Sequence, residues 1–175
     1  MARAQREAVD NPFNRFGEVA KNMNDIQIEF PRDKARAQIG QKVDATAATV
    51  VSATSHETIP FGALVVYDDT DAFLCKLPTV KAHLEKPLGI TLRQLHCDDY
   101  LPKSSIAVMR KGRVWVEADK VASPGDLVGL KFLEDGSVRF TGDIKDTLPL
   151  KGAIFLERSD GGLAPIEVNF FGGIK

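Results

Sequence analysis

From about Thr46 to its end the chain repeats one pattern: short runs of β-branched and aliphatic residues, broken roughly every 8 to 12 residues by glycine, proline, aspartate or serine. A chain punctuated this often has little room for long helices. It predicts an all-β domain over residues 46–175, a small β-barrel or a jelly-roll-like sandwich of short antiparallel strands. The runs that read as strands are Ala48–Ala53, Ala63–Tyr67, Phe73–Leu77, Leu88–Leu92, Ile106–Arg110, Arg113–Ala118, Leu127–Phe132, Ser137–Phe140, Ala153–Arg158 and Ile166–Phe171. Between them, Pro78 to Lys86 is suited to one short helical turn.

Turn chemistry pairs several of these runs. Lys111 and Gly112 lie between Ile106–Arg110 and Arg113–Ala118, and a two-residue loop with glycine supplies the positive φ of a hairpin turn. Asp135 and Gly136 predict a second hairpin, Ser159 to Gly162 a third, and Asp68 to Asp71 a fourth. Ser123 to Asp126 reads as a β-turn, with Pro124 presetting φ and Gly125 taking the third position. In the run after Gly112, Val114, Val116 and Ala118 share one face, and Trp115 and Glu117 share the other. Trp115 is thereby left either to cover an end of the barrel or to contact another subunit.

Residues 1–45 differ in kind. Charges of both signs alternate with small residues, prolines stand at 12 and 31, and the apolar residues have no sustained period. This reads as an extended N-terminal arm, with short helical turns conceivable at Asn14–Asn22 and Asp33–Gln41. Three readings stay open: a disordered tail, an arm packed on its own domain, and an arm that docks by placing isolated aromatics such as Phe13, Phe16 and Phe30 into a partner's pockets. At the other end, Phe170 and Phe171 would point to opposite faces of a strand, so one needs cover from a partner subunit or from the arm.

The 175 residues, 43% hydrophobic and 27% charged, allow one real core and argue against a chain disordered throughout. With 24 acidic against 23 basic residues there is no positive excess of the kind that binds nucleic acid by releasing counterions from phosphates. No stretch approaches the roughly 18 to 20 apolar residues that cross a bilayer, and the polar N-terminus lacks a signal sequence's apolar segment. Neither nucleic acid nor membrane is an expected partner, and synthesis in the cytosol is. Two cysteines outside any C-x-x-C pair suit a reducing compartment.

The usual catalytic signatures (a phosphate-binding loop, a dinucleotide fingerprint, a zinc-protease helix, a nucleophile elbow) are missing from the sequence. His96, Cys97, Asp98 and Asp99 are all metal-ligand types, yet adjacent residues on an extended chain diverge, and help from His56, Cys75 or His83 would be needed. Asp68 to Asp71 lacks the glycine and distal glutamate of a helix–loop–helix calcium site. Cys97 with His56 or His83 is a chance-level nucleophile pair. We therefore expect no catalytic residue, no metal and no cofactor. The alternative is a small β-barrel enzyme or ligand-binding module in which His96, Cys97 and nearby aspartates converge on a cavity.

From Ile59 onward, the order of segments Gly62–Tyr67, Pro87–Ile90, Val108–Glu117, Ala122–Val128, Gly152–Glu157 and Gly161–Val168 resembles the cement, or head decoration, proteins of tailed bacteriophages over roughly two-thirds of the chain. That resemblance implies a virion protein made in the host bacterial cytoplasm, with another virion component, such as a tail or baseplate β-domain, as the alternative. As a cement protein it binds the outer capsid surface, staples neighbouring major capsid protein subunits and associates with itself as a homodimer or homotrimer. The candidate capsid or subunit contacts are then Phe13, Phe16, Phe30, Trp115, Phe170 and Phe171.

Overall fold

A computed structural model describes residues 37–95, 97–133, 137–145 and 147–173. Eleven strands form in chain order: β1 Thr49–Ser55, β2 Ile59–Pro60, β3 Leu64–Tyr67, β4 Leu74–Lys76, β5 Pro87–Thr91, β6 Asp99–Tyr100, β7 Ser105–Ala122, β8 Leu127–Phe132, β9 Val138–Thr141, β10 Leu148–Phe155 and β11 Ser159–Asn169. Two short 3₁₀ turns, Lys81–Glu85 and Phe170–Gly173, are the helical elements among the described residues. The all-β expectation holds.

The organising element is β7, whose 18 residues amount to roughly 60 Å of extended chain. Its first half lies between β1, with Val51 opposite Val108, and β5, with Ile90 opposite Met109. From Lys111 to Ala122 its partner becomes β11. The sheet order β1-β4-β3-β5-β7 is closed by the β1–β7 pairing, and β7-β11-β10-β8-β9 is closed where β9 meets β7 in parallel at Ala118 and Phe140. Two small five-stranded circuits therefore share one strand. Closure leaves the nine-stranded sheet few open edges that could recruit other chains.

Each circuit has its own core. Ile59, Val65, Cys75, Tyr100, Ile106 and Val108 fill the first, and Val114, Val116, Leu130, Phe155, Ala164 and Ile166 the second. Successive residues of a strand face opposite ways, so Val108 serves the first core and Met109 the second. The β2–β6 pair brings Ile59 against Tyr100 in the first core, where the Tyr100 hydroxyl donates to Leu92 O at 2.6 Å.

Three turn expectations are met. β3 and β4 form the hairpin around Asp68 to Asp71, with Tyr67 opposite Cys75. β8 and β9 form the hairpin whose turn residues 135 and 136 lie outside the described set, with Phe132 opposite Val138. In the Ser123 to Asp126 turn, Asp126 N donates to Ser123 O at 3.0 Å and Gly125 has φ +88°, as a type II turn requires.

The hairpin at Lys111 and Gly112 is overturned; the strands are mostly short and antiparallel, with β7 and two parallel pairings as the exceptions. β7 runs straight through these residues, and β1–β4 and β7–β9 pair in parallel. The register against β1 jumps from Met109 opposite Val50 to Lys111 opposite Thr49, which leaves Arg110 as the extra residue of a β-bulge. Gly112 takes φ +139°, and a Cβ there would meet Ala48 Cβ at 2.9 Å. The glycine signal was real but marks a bend within a strand. Likewise Gly161 and Gly162 lie inside β11 at a register shift against β7, although β10 and β11 do pair, Ile154 opposite Glu167.

Residues 37–44, placed in the arm by sequence, lie along the edge of β7 that β1 vacates. Gly40 N donates to Trp115 O at 2.7 Å, Trp115 N to Gln41 O at 2.9 Å, and Val43 N to Arg113 O at 3.0 Å. The Arg113 guanidinium then joins Asp44 and Glu167, each at 3.0 Å, tying this segment to β11.

Candidate functional site

Among the described residues, most of the groups that suggested chemistry are already engaged by neighbours. Cys75 is wholly buried in the first core, where its thiol contacts Thr54 O at 3.5 Å. Burial, helped by the Glu57 carboxylate, pushes its pKa up to about 11, the opposite of what a nucleophilic thiolate needs. Cys97 is half-buried and unpaired, and His96 lies outside the described residues. His56 Nδ1 is 3.6 Å from Asp68, and His83 Nε2 is 3.9 Å from Asp69.

The Asp68 to Asp71 turn spends its oxygens on itself and its neighbours. Asp68 Oδ1 accepts from Thr70 N at 2.9 Å and from Thr70 Oγ1 at 2.5 Å, and these bonds hold its carboxyl below the usual range. Asp69 bonds Lys76 Nζ at 2.5 Å, and Asp71 accepts from Phe73 N at 2.8 Å. These are the bonds of a turn and of ion pairs. Among the described residues no three His, Cys, Asp or Glu side chains gather as a metal site. A hollow of about 90 Å³ on the second circuit is lined by Lys120, Lys131, Thr141, Asp143 and Thr147. Both of its lysines are already paired, Lys120 with Asp143 at 3.1 Å and Lys131 with Asp119 at 3.5 Å.

The surface offers contact instead. Trp115 is half-buried, opposite Pro165 on β11, with the backbone of residues 40 and 41 on its other flank. Phe170 enters the second core, whereas Phe171 stays 46% exposed beneath the Arg110 guanidinium. They diverge as expected, though from a 3₁₀ turn rather than a strand. Phe13, Phe16 and Phe30 lie outside the described residues. What sequence reasoning missed is a set of exposed apolar side chains: Phe73 at 78%, Leu101 at 67%, and Leu127 opposite Ile154 on the outer face of β8 and β10. For Leu101 a signal existed, since Leu101-Pro102 is the kind of pair that opens a surface turn. For Phe73 there is none, because it opens the run Phe73–Leu77, which has the composition of a strand.

Comparison with known proteins agrees with a contact-making role. Residues 26–169 match the family described as "Structural cement protein (E217 gp24/Pam3 gp6)". Among solved structures, one chain of the capsid of Myoviridae Phage XM1 superposes with a TM-score of 0.64 at 16% identity, covering 83% of this chain and 97% of that one. The head fiber gp8.5 N base of bacteriophage phi29 gives a TM-score of 0.44 at 16% identity over 71% of this chain and 96% of that one. No curated protein matches. The XM1 likeness carries the fold, and the family match, across most of the length, carries the role: the chain belongs to the structural cement protein family of bacteriophage capsids.

Proposed function

We propose that the protein sits on the outer face of an assembled phage head, bridges neighbouring major capsid protein subunits, and holds them without a catalytic step or cofactor. On this reading it is made in the host bacterial cytoplasm and joins copies of itself on the shell. The observation that carries the proposal is the family match over residues 26–169, joined to a fold whose main sheet closes in two circuits while apolar side chains remain at its surface. Such a body contributes stiff surface and little else. Many modest contacts, repeated over a shell, act together, and a protein that binds only the assembled state stabilises that state by mass action. Residues 1–36 act as a tether whose aromatics Phe13, Phe16 and Phe30 seat on the capsid protein, with Trp115 and Phe171 as further candidate contacts. The near balance of charges suits the exterior better than a surface lining packaged DNA.

Protease treatment of intact, DNA-filled heads tests the placement. The expected result is cleavage of this protein while the packaged genome stays nuclease-resistant. Protection of the protein until the shell is opened would place it inside and overturn the proposal.

A further inference from the structure

The last residues of β1 are held between two loops. On one side Thr54 N donates to Phe73 O at 2.9 Å. On the other, Ser55 N donates to Ser104 O at 2.9 Å, Lys103 N to Ser55 O at 2.8 Å, and the buried Ser55 hydroxyl to Leu101 O at 2.5 Å. Each loop offers solvent one large apolar side chain, Phe73 or Leu101, and exposed charge of opposite sign, Asp69 and Asp71 on the first and Lys103 on the second. The second loop is a tight turn, with Ser104 N bonded to Leu101 O at 3.1 Å and Lys103 at φ +62°, where glycine is the ordinary occupant. Strain of this kind persists only where surrounding structure imposes it, and Ser55 imposes it from below. Leu101 and Lys103 belong to neither core, so the turn's rigidity serves what it presents outward.

We infer that this end of the first circuit is where two copies of the chain meet about a two-fold axis, Leu101 of each packing on Phe73 of the other and Lys103 facing Asp71. The inference rests on the reading that copies associate on the shell, and it names the surface. A two-fold contact needs a patch complementary to itself, with each pairing made twice. Two loops flanking one strand end, each with an apolar knob and with charges of opposite sign, form such a patch. Stacking in parallel orientation would instead set like charges together. Asp71 Oδ1 caps Phe73 N and Asp69 pairs with Lys76, and both carboxylates stay exposed, so the first loop sets negative charge beside Phe73 for Lys103 to face.

Sedimentation equilibrium of the full chain, with Lys103→Asp, Asp71→Lys and both together, tests this. Aspartate tolerates the left-handed backbone at 103, and circular dichroism with thermal midpoints verifies folding. Each single swap is expected to weaken dimerisation by about ten-fold or more, and the double swap to return it to within about three-fold of the unaltered chain. Leu101→Asp is expected to abolish the dimer. A chain monomeric at every concentration up to about millimolar, single swaps without effect, or a double swap without recovery would each overturn the inference. Copies bound per purified head are counted in parallel. Full occupancy without dimers sinks this inference alone, and dimers without occupancy sink the capsid reading alone.

Discussion

The guanidinium carbon of Arg110 lies 4.5 Å from the ring centroid of Phe171, so the extra residue of the β7 bulge stacks on the aromatic just beyond β11. Arg110 Nε is buried without a hydrogen-bond acceptor among the described residues, and the guanidinium lies over the ring face. Phe171→Ala and Arg110→Ala are each expected to lower stability, with a coupling of about 0.5–1 kcal/mol in a double-mutant cycle read by urea unfolding. Coupling near zero would free Phe171 for the shell instead.

Gly112 and Gly125 both have positive φ but differ in surroundings. A Cβ at 112 meets Ala48 Cβ at 2.9 Å and Met109 Sδ at 3.0 Å, whereas at 125 it meets nothing within 4 Å. Gly125→Ala should cost about 1 kcal/mol from backbone strain alone, and Gly112→Ala about 2–3 kcal/mol, since crowding adds to the strain. Equal costs by chemical denaturation would contradict the bulge described for β7.

Alkaline pH should weaken the fold through two buried acids. Cys75 rises from its ordinary 9.0 to about 11, and burial raises Tyr100 above 10.0. Both folded pKa values exceed the unfolded ones, so the stabilisation is fully present below about pH 9 and is lost as pH climbs through the folded values. For Cys75 the loss is about 2 kcal/mol by pH 11. Cys75→Ala should flatten the fall that begins near pH 9, and Tyr100→Phe the part above 10. An unchanged profile in Cys75→Ala would remove the thiol from the account.

The boundary of the arm is testable by truncation. Removing residues 1–36 should leave the thermal midpoint nearly unchanged while weakening attachment to heads. Removing 1–45 should also lower the midpoint, because the bonds from Gly40, Gln41 and Val43 to β7 and the Asp44–Arg113 ion pair go with it. Equal midpoints would mean those bonds contribute nothing.

Alternation and turn residues made the strand content and most hairpins legible, because side-chain direction and turn φ are local properties. What stayed hidden was non-local. Nothing near Gly112 distinguishes a hairpin from a bulge, since the choice depends on β11 being available to pair with Lys111 to Ala122. The sharing of β7 by two circuits was hidden for the same reason. The hold of residues 37–44 on β7 depends on an edge that exists only once β1 has diverged. Of the candidate contacts, Trp115 was rightly set on the face opposite Val114 and Val116, and Phe170 and Phe171 were rightly split. Phe73 and Leu101 escaped notice because exposure of an apolar residue is decided by tertiary packing.

The most direct measurement takes expanded heads lacking this protein, adds the purified chain, and follows binding by co-sedimentation and shell rupture by heating. Saturable binding at a fixed number of copies per head, with rupture moved to higher temperature, is the predicted result. Heads that rupture at the same temperature and sediment without the chain would contradict the account.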